Sequence, residues 1–560
     1  MKAETIDCLF IGPNEMNFPE YEESVRKMGV HSGAFRDLSL NFIRYNNRPY
    51  HAMELFNLFC CGNGPVGDRI EPVSMGEVLS PAIAYLGTFL TKHGFTFDYI
   101  NSFQEEKEEL ERKLKKNNIL TIAITTTLYI SPFPIFEIMN FIKKHNRTAR
   151  VIVGGPFVAT QIRVLDRETL EYLFESIGAD FYVYSAQGEA ALVNILRALK
   201  KNLPLEEVAN IYYKTDNGYA VTPVIRENNR LAENMVRWDL FADRCIEYAA
   251  IRTSVSCPFS CAYCGFPEHA GKFQTAPVEA IEHELNQLVK KNPVKCLHFT
   301  DDTFNVPLKR FKDILRMLIK NKYGFKWNSF YRSQYADRET VELMKESGCE
   351  GVFMGIESGS DKILRNMNKA SRVEKYYEGI ALLKEYDIVT HGSFIIGFPG
   401  ETMETVNETL EFIEKSKIDF YRCQLWYFEA ITPIGRQREK YNIEGSNFEW
   451  THATMDTGTA CDWIDKIFFR FDDPVRFPYY FDFFDIFRLK HRGLSMDQIK
   501  NFMRNFNNGV KEKLRNPSQE EAGCEVIVAL KGSLIQDNAV TVEAEDSLEE
   551  EDIYVDLDLD

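Results

Sequence analysis

Residues 254–266 read Ser-Val-Ser-Cys-Pro-Phe-Ser-Cys-Ala-Tyr-Cys-Gly-Phe and follow a short strand-like run at 248–253. The cysteines Cys257, Cys261 and Cys264 have CxxxCxxC spacing. Three thiolates this close can ligate three irons of a 4Fe–4S cluster. No fourth cysteine is near in sequence, so one iron would stay open to a substrate or cofactor. A zinc site is the alternative, but zinc usually takes four ligands from paired CxxC or HxxxH motifs, which are absent here.

This loop, with the aromatic residue Tyr263 before its third cysteine, resembles the radical S-adenosylmethionine (SAM) superfamily. The resemblance implies that the open iron is chelated by the amino and carboxylate groups of SAM. One electron from the cluster would then cleave SAM to a 5′-deoxyadenosyl radical. A 4Fe–4S cluster and SAM are therefore the expected cofactors, with the three cysteines as the metal ligands.

Six strand-like runs separated by helical sequence lie within residues 246–435, which predicts an open, partial (β/α)6 barrel with its chemistry at the carboxyl ends of the strands. Polar residues stand at those ends. The resemblance implies that the stretch 397–402 contacts adenine, while Arg332 suits the carboxylate of SAM and Glu357 its ribose or ammonium group. The acids after the second strand, Asp301 and Asp302, depart from the Gly-Gly-Glu that is usual at this place in the radical SAM superfamily. The residues expected around SAM are Tyr263, Phe266, Asp301, Asp302, Arg332, Glu357, Ser358, Gly397, Pro399 and Gly400.

Residues 76–205 alternate helix and strand, which predicts an α/β, doubly wound (Rossmann-like) parallel sheet with ligands beyond the carboxyl ends of its strands. The region resembles the cobalamin-binding domain that precedes the radical SAM domain in cobalamin-dependent members. Because Asp-x-His-x-x-Gly is absent, we expect cobalamin without a histidine ligand. The alternative is a degenerate flavodoxin-like domain that only packs. The residues expected near cobalamin are Thr125, Thr126, Thr127, Gly154, Gly155, Pro156, Gly188 and Glu189.

Five segments are expected along the chain. They are an N-terminal extension with the cobalamin-binding domain (1–205), a linker with two short strands (206–245), the partial barrel (246–435), a mainly helical cap (436–516) and an acidic tail (517–560). The cap either only packs on the barrel or also lines the substrate pocket. The net charge is −17, but residues 537–560 hold eleven acidic residues and no Lys or Arg. A solvating or disordered tail is therefore expected there.

Composition excludes several classes of protein. With 44% hydrophobic and 13% aromatic residues the chain can build a large core, and its twelve cysteines are too scattered for a disulfide scaffold. No signal-peptide pattern or membrane-length apolar run is found, and no basic face suggests nucleic-acid binding. A soluble, cytoplasmic protein without nucleic-acid or membrane partners is expected.

The opening 11–14, the stretch 32–37 (Ser-Gly-Ala-Phe-Arg-Asp) and the cluster 450–455 (Trp-Thr-His-Ala-Thr-Met) are similar to the P-methyltransferases of phosphinothricin-type biosynthesis. That similarity implies radical transfer of a methyl group from methylcobalamin to phosphinate phosphorus, or equally to an unactivated carbon of a small molecule or peptide. A flavodoxin or ferredoxin would be the electron donor. The alternatives are a cobalamin-using cyclase or rearrangement enzyme, and a non-catalytic corrinoid or iron–sulfur sensor. No residue is identified as a general acid or base.

Overall fold

A computed structural model describes residues 4–15, 17–61, 70–519 and 521–534. Strands of the N-terminal half are β1 (Thr5–Ile11), β2 (Phe42–Tyr45), β3 (Arg48–His51), β4 (Phe97–Ile100), β5 (Asn118–Thr125), β6 (Arg150–Gly154), β7 (Phe181–Val183), β8 (Ile211–Thr215) and β9 (Gly218–Val221). Its helices are α1 (Phe18–Arg26), α2 (Gly33–Ser39), α3 (Ala52–Cys61), α4 (Pro81–Lys92), α5 (Lys107–Lys116), α6 (Phe133–His145), α7 (Pro156–Val164), α8 (Arg167–Ile177) and α9 (Glu189–Lys201).

The N-terminal sheet has the strand order β4-β1-β5-β6-β7-β8-β9. Its first five strands pair in parallel, in the 2-1-3-4-5 order of flavodoxin-like folds, as the alternating apolar runs predict. The order reverses between β1 and β5, so their carboxyl ends flank the crevice where such folds bind ligands. The two strands expected in the linker form an antiparallel hairpin, β8–β9, that extends this sheet beyond β7.

Strands of the second half are β10 (Tyr248–Ile251), β11 (Ser254–Val255), β12 (Gln274–Thr275), β13 (Cys296–Phe299), β14 (Lys326–Phe330), β15 (Cys349–Glu357), β16 (Val389–Ile396), β17 (Phe420–Leu425), β18 (Glu444–Ser446), β19 (Glu449–His452), β20 (Met455–Asp456) and β21 (Val475–Arg476). Its helices are α10 (Phe266–Ala270), α11 (Val278–Lys291), α12 (Leu308–Asn321), α13 (Arg338–Glu346), α14 (Asp361–Asn366), α15 (Val373–Glu385), α16 (Met403–Ser416), α17 (Arg438–Tyr441), α18 (Thr457–Arg470), α19 (Phe483–His491), α20 (Met496–Arg515) and α21 (Cys524–Gly532).

The second sheet runs β10-β13-β14-β15-β16-β17-β21 with parallel neighbours throughout. Its first six strands are those predicted from the sequence, and among the described residues its edge strands are β10 and β21. The short edge strand β21 belongs to the cap, so the cap contributes the last strand of this sheet. The expectation of a mainly helical cap needs one addition, the small antiparallel sheet β18–β19–β20.

The inner face of the second sheet is filled at its base by aromatic side chains of α19 and the segment before it. Phe483 packs 6.1 Å from Phe353 of β15, and Phe484 stacks on His298 of β13 at 5.3 Å between ring centroids. His391 of β16 lies between Phe353 and Phe477. The residues that point to the same side as these side chains therefore define the concave face of the partial barrel.

One apolar core joins the two sheets, because the same cluster contains Phe10 of β1, Ile251 of β10 and Leu530 of α21. The segment expected to be an acidic tail, 517–560, contains a helix in its described part. Helix α21 lies within it and packs on α20, with Val526 and Leu530 buried; these apolar residues stand at helical spacing, which the charge pattern alone does not reveal. Residues 535–560 lie outside the described ranges. No helix within those ranges is long and apolar enough to cross a bilayer.

Candidate functional site

The cysteine loop leaves β10 at the carboxyl edge of the second sheet and is fixed at its base and in its middle. At the base, β11 pairs antiparallel with β12. In the middle, the N–H of Ala262 donates to the carbonyl of Met367 at 2.8 Å, and the N–H of Ile434 donates to the carbonyl of Ala262 at 2.9 Å. The three cysteines thus lie on backbone held by three other parts of the chain.

The three thiols suit an iron–sulfur cluster better than a single zinc ion. Burial raises the pKa of Cys257 and raises that of Cys264 to about 12, and the neighbouring loop thiols act in the same direction. Thiolates in such a place need a strongly positive group, which iron ions supply. The sulfur atoms of the three loop cysteines do not all lie within 4.8 Å of one another, as the ligands of a single ion would. Within the described ranges, only Cys296, Glu350 and His491, at the opposite end of the sheet, have three ligand atoms that close together.

Beside the loop, Tyr263, Glu357 and Lys369 form a buried hydrogen-bonded group. Lys369 Nζ lies 2.9 Å from Glu357 Oε1 and donates to Tyr263 Oη at 2.8 Å, while Tyr263 Oη donates to Glu357 Oε1 at 2.8 Å. Glu357 is 7% and Lys369 6% exposed. The left-handed φ of +70° at Glu357 bends the end of β15 and aims this carboxylate at the loop. Sequence reasoning missed Lys369, because a lone lysine after a short helix carries no recognisable signal.

Arg332 also faces the cysteine loop. Its guanidinium stacks 3.6 Å from the ring centroid of Phe259, between Cys257 and Cys261, and donates to the carbonyl of Lys369. Its backbone is clamped by the buried amide of Asn305, which accepts from the N–H of Arg332 at 3.0 Å and donates to its carbonyl at 2.9 Å. A cation and a buried carboxylate, Glu357, thus lie on the loop side, where the carboxylate and ammonium of SAM need opposite charges.

The turn after β16 contains glycines, whose backbone no side chain shields from contact with a flat base. Gly397 and Gly400 adopt φ of +95° and +93°, conformations that favour glycine. The N–H of Gly397 donates to Glu401 Oε2 at 2.5 Å, and burial raises the pKa of Glu401 to about 8. A Cβ on Gly397 would lie 2.4 Å from Trp450 of the cap, so the Trp450 ring itself requires glycine here.

The cap packs directly on this turn. His452 Nε2 lies 2.9 Å from the carbonyl of Gly397, and its ring stacks on Trp450 at 5.2 Å. Trp450 Nε1 in turn donates to the carbonyl of Trp426 at 2.8 Å. The Trp450–Met455 cluster singled out in the sequence therefore supports the wall of the expected SAM pocket through the β18–β20 sheet.

The two strand-two acids have different surroundings. Asp301 is buried and accepts from the N–H groups of Thr253 and Ser254, each at 2.7 Å, and from the Thr253 hydroxyl. Its carboxylate therefore holds the start of the cysteine loop, and we assign it a positioning role. Asp302 instead is exposed, and its negative charge raises the pKa values of the Cys257 and Cys264 thiols.

The remaining residues expected around SAM differ in their surroundings. Ser358 is buried, with its hydroxyl 3.3 Å from that of Thr409 on α16, so it joins helix to strand. Phe266 begins α10 and is 37% exposed on the open side of the loop. Pro399 lies within the turn, and its carbonyl accepts from Asn366 at 3.2 Å.

The residues expected near cobalamin all gather at the carboxyl edge of the N-terminal sheet. Thr125 and Gly154 are cross-strand partners, and Thr126 donates to the carbonyl of Gly154 through its N–H at 2.9 Å and its hydroxyl at 3.0 Å. Gly155, with φ +117°, precedes Pro156, the first residue of α7. Thr127 is exposed at the start of the following loop.

Gly188 and Glu189 open α9 next to the cysteine-bearing domain. Gly188 has φ +81°. The buried Glu189 lies 3.5 Å from Arg252, which directly follows β10, and also accepts from Asn229 at 3.2 Å. Glu189 therefore joins the two sheets near the root of the cysteine loop.

A cavity of about 580 Å³ lies between the loop after β7 and α10, and its lining includes none of the eight residues expected near cobalamin and none of the three cysteines. Its lining comes from α7, the loop after β7, residues 224–227 and α10, the helix that follows Cys264. His269 of α10 faces Thr160 of α7 across 3.3 Å, and its other ring nitrogen is buried without a hydrogen-bond partner among the described residues. The cavity is thus shared by the two sheets and lies next to the cysteine loop.

Residues 251–413, which include the three cysteines, Arg332, Glu357 and the Gly397 turn, match the radical SAM superfamily. These residues of the chain therefore form a radical SAM domain. This domain supports a 4Fe–4S cluster and SAM as its cofactors.

Two solved structures have a similar fold. The radical SAM methyltransferase TsrM of Kitasatospora setae, with cobalamin and a 4Fe–4S cluster bound, has a TM-score of 0.53 at 18% identity over 65% of this chain and 75% of that chain. OxsB, a cobalamin-dependent SAM radical enzyme with aqua-cobalamin and SAM bound, has a TM-score of 0.58 at 16% identity over 94% of this chain and 79% of that chain. The predicted α/β fold of cobalamin-dependent radical SAM enzymes is confirmed.

Sequence relatives point to two reactions. An uncharacterized methyltransferase of Pyrococcus horikoshii is 28% identical over 320 residues, 56% of this chain and 68% of its own length. The anaerobic magnesium-protoporphyrin IX monomethyl ester cyclase of Rubrivivax gelatinosus is 23% identical over 418 residues, 70% of this chain and 73% of its own length.

Proposed function

We propose that this chain is a cobalamin-dependent radical SAM methyltransferase that methylates phosphinate phosphorus or an unactivated carbon of a small molecule or peptide in natural-product biosynthesis. The observation that carries the proposal is the cavity between the carboxyl edge of the flavodoxin-like sheet and α10, directly after Cys264. A methyl donor bound at that edge would meet a radical formed at the cysteine loop.

When bound, the cluster and SAM supply a hydrogen-abstracting radical, and methylcobalamin supplies the methyl group to the resulting substrate radical. The chain's own residues bind and orient. Cys257, Cys261 and Cys264 would hold the iron–sulfur cluster and leave one iron open. Arg332 and Glu357 would bind the charged groups of SAM, and the Gly397 turn would receive its adenine.

The apolar surface at the carboxyl edge of the N-terminal sheet supports a large, partly apolar ligand there. Leu128, Ile130 and Phe133, in the loop after β5 and at the start of α6, are 63%, 73% and 58% exposed. Apolar side chains grouped in this way mark a binding surface. The histidine of the cavity lining is His269, and it belongs to α10 rather than to the sheet. We therefore expect cobalamin to bind without a histidine from the N-terminal sheet.

The function is tested by mass spectrometry of an anaerobic reaction of the reconstituted full chain with SAM, methylcobalamin, a reductant and an N-acetylated H-phosphinate amino acid. We expect 5′-deoxyadenosine, S-adenosylhomocysteine and a product heavier by one methylene to rise together. A matched reaction with the Cys257→Ala chain should form none of them. Absence of S-adenosylhomocysteine under conditions that yield 5′-deoxyadenosine would contradict methyl transfer.

A ring-forming reaction is the second candidate, and the 70% coverage of this chain by the Rubrivivax cyclase favours it. Such an enzyme would consume SAM as 5′-deoxyadenosine without forming S-adenosylhomocysteine, which separates it from the methyltransferase in the same measurement. The required electron would come from a small carrier such as a flavodoxin or ferredoxin. Replacing a chemical reductant by either carrier and measuring 5′-deoxyadenosine tests that partner.

A further inference from the structure

A continuous row of residues leads across the inner face of the second sheet from the expected SAM pocket. Gly355 pairs in register with Ser393, and Ser393 with Arg422. Residues in register in a parallel sheet point to the same face. A Cβ on Gly355 would lie 2.4 Å from Glu357 Oε1 and 3.3 Å from Lys369 Nζ. With strands about 4.8 Å apart, Arg422 projects from the same face two strands away.

The guanidinium of Arg422 is only partly engaged. Its Nε donates to the carbonyl of Phe477 at 3.4 Å, and its Nη2 donates to those of Pro478 and Phe481 at 3.0 and 3.3 Å. Within the described part of the chain, Nη1 has no hydrogen-bond partner, and no carboxylate lies within the 4.0 Å of an ion pair. Arg422 is therefore a largely buried cation with one free edge.

Arg422 lies near a second buried guanidinium and near two carboxylates that form no ion pair with it. Arg476, on the adjacent β21, is a second buried guanidinium, and it donates to the Leu40 carbonyl and the Asn41 side chain, both at 2.9 Å. Asp37 and Asp482 act on Arg422 only at longer range. Burial lowers the pKa of Arg422 to about 10, and it raises that of Asp37 to about 6. A buried cation without a carboxylate partner favours binding of an anion.

We propose that Arg422 binds an acidic group of the substrate, a phosphinate or a carboxylate, on the inner face of the second sheet. The inference rests on the proposed function, and it places the substrate on this face, beside the expected SAM pocket. Arg422 would fix the anionic end of the substrate, so that the reacting atom points along the Ser393–Gly355 row toward SAM.

The test measures the equilibrium binding of phenylphosphinate, its neutral methyl ester and benzoate to the full chain, which is first reconstituted with its cluster. Loss of one charge-assisted contact corresponds to about a tenfold to hundredfold weakening. Arg422→Gln should therefore weaken binding of phenylphosphinate or benzoate by about that factor and leave the ester unchanged. Arg422→Lys should retain part of the affinity. The matched control is Arg338→Gln, an exposed arginine paired with Glu385 on the outer helices.

Tighter binding of either acid to the wild-type chain than to Arg422→Gln supports the proposal and identifies the acid. Equal affinity of the wild-type and Arg422→Gln chains for both acids overturns it, and so does the absence of binding of both acids to the wild-type chain. Loss of acid and ester binding together, with a lower melting temperature, would make Arg422 only a clamp for residues 477–481. Failure of the wild-type chain to cleave SAM would contradict the proposed function, but the binding measurements would still decide the role of Arg422.

Discussion

Lys369 neutralises a carboxylate that would otherwise be stranded in the expected SAM pocket. Removing one partner of a buried ion pair typically costs about 3 to 5 kcal/mol, because the other charge is left without compensation. We therefore expect Lys369→Met to weaken SAM binding by at least about tenfold and to lower the melting temperature, since Glu357 loses its 2.9 Å contact. Equilibrium dialysis with SAM measures the first effect and calorimetry the second.

Tyr263→Phe provides the control for Lys369. It removes the hydroxyl that bonds to both partners but leaves the Lys369–Glu357 pair in place. Its effect on SAM affinity should be smaller than that of Lys369→Met. Wild-type affinity in Lys369→Met would show that this lysine has no part in the site.

Glu401 should make stability depend on pH. Burial raises its pKa from an ordinary value of 4.5 to about 8. Between these values the folded chain keeps a proton that the unfolded chain has released. The stabilisation is thus fully present below about pH 4.5, falls as pH rises and is lost above about pH 8. A pKa difference of one between the folded and unfolded chains corresponds to about 1.4 kcal/mol.

Glu401→Gln should flatten this dependence, because the amide cannot ionise. We expect its melting temperature to fall less than that of the wild-type chain between pH 6 and pH 9. Glu404→Gln, an exposed carboxylate one turn away on α16, is the matched control and should follow the wild type. Parallel curves for wild type and Glu401→Gln would contradict the assignment of this titration to Glu401.

Among the elements, the turn between β16 and α16 depends on the cap sheet that packs on it. Gly397→Ala would place a methyl group 2.4 Å from Trp450 in a backbone region that favours glycine. We expect it to destabilise the chain by about 1 to 3 kcal/mol and to weaken SAM binding. Gly458→Ala, in the first turn of α18 with its nearest neighbour at 3.6 Å, should be tolerated. Unchanged SAM affinity in Gly397→Ala would argue against adenine contact by this turn.

The junction of β10 and the cysteine loop depends on Asp301. Asp301→Ala removes an acceptor from the N–H groups of Thr253 and Ser254, which are then buried without partners. Each such group costs about 1 to 3 kcal/mol. We expect lower iron content after reconstitution, measured by iron assay and absorbance. Asp313→Ala on the exposed side of α12 is the control; wild-type iron content in Asp301→Ala would exclude a positioning role.

For the whole molecule, the C-terminal boundary of the fold lies beyond residue 516. Helix α21 packs on α20, and the N–H of Ala522 donates to the carbonyl of Arg44 at 2.9 Å, which joins the C-terminal segment to the N-terminal half. Truncation after Asn516 should therefore lower the melting temperature, whereas truncation after Leu534 keeps these contacts and should not. Equal melting temperatures of the two truncated chains would contradict a structural role for α21.

Both sheets could be predicted because a parallel strand buried on both faces is largely a continuous apolar run, as in β1 and β6. The placement of site residues at strand ends followed from the same argument. The hairpin β8–β9 could not be assigned to the N-terminal sheet in this way, because its pairing with β7 depends on an edge that exists only after folding. The role of Asp301 was equally hidden, since its partners are backbone N–H groups about fifty residues away.

The sequence by itself indicated the class of chemistry, because three cysteines at CxxxCxxC spacing lie on one short loop whose local pattern resembles the radical SAM motif. It also determined the two α/β sheets, whose strands are set by local apolar runs. Only the tertiary structure decided that Lys369 pairs with Glu357, that Trp450 supports the Gly397 turn, and that Arg422 keeps a free edge on the inner face. These arrangements join segments far apart in sequence. Long-range packing fixes them, and no local pattern records it.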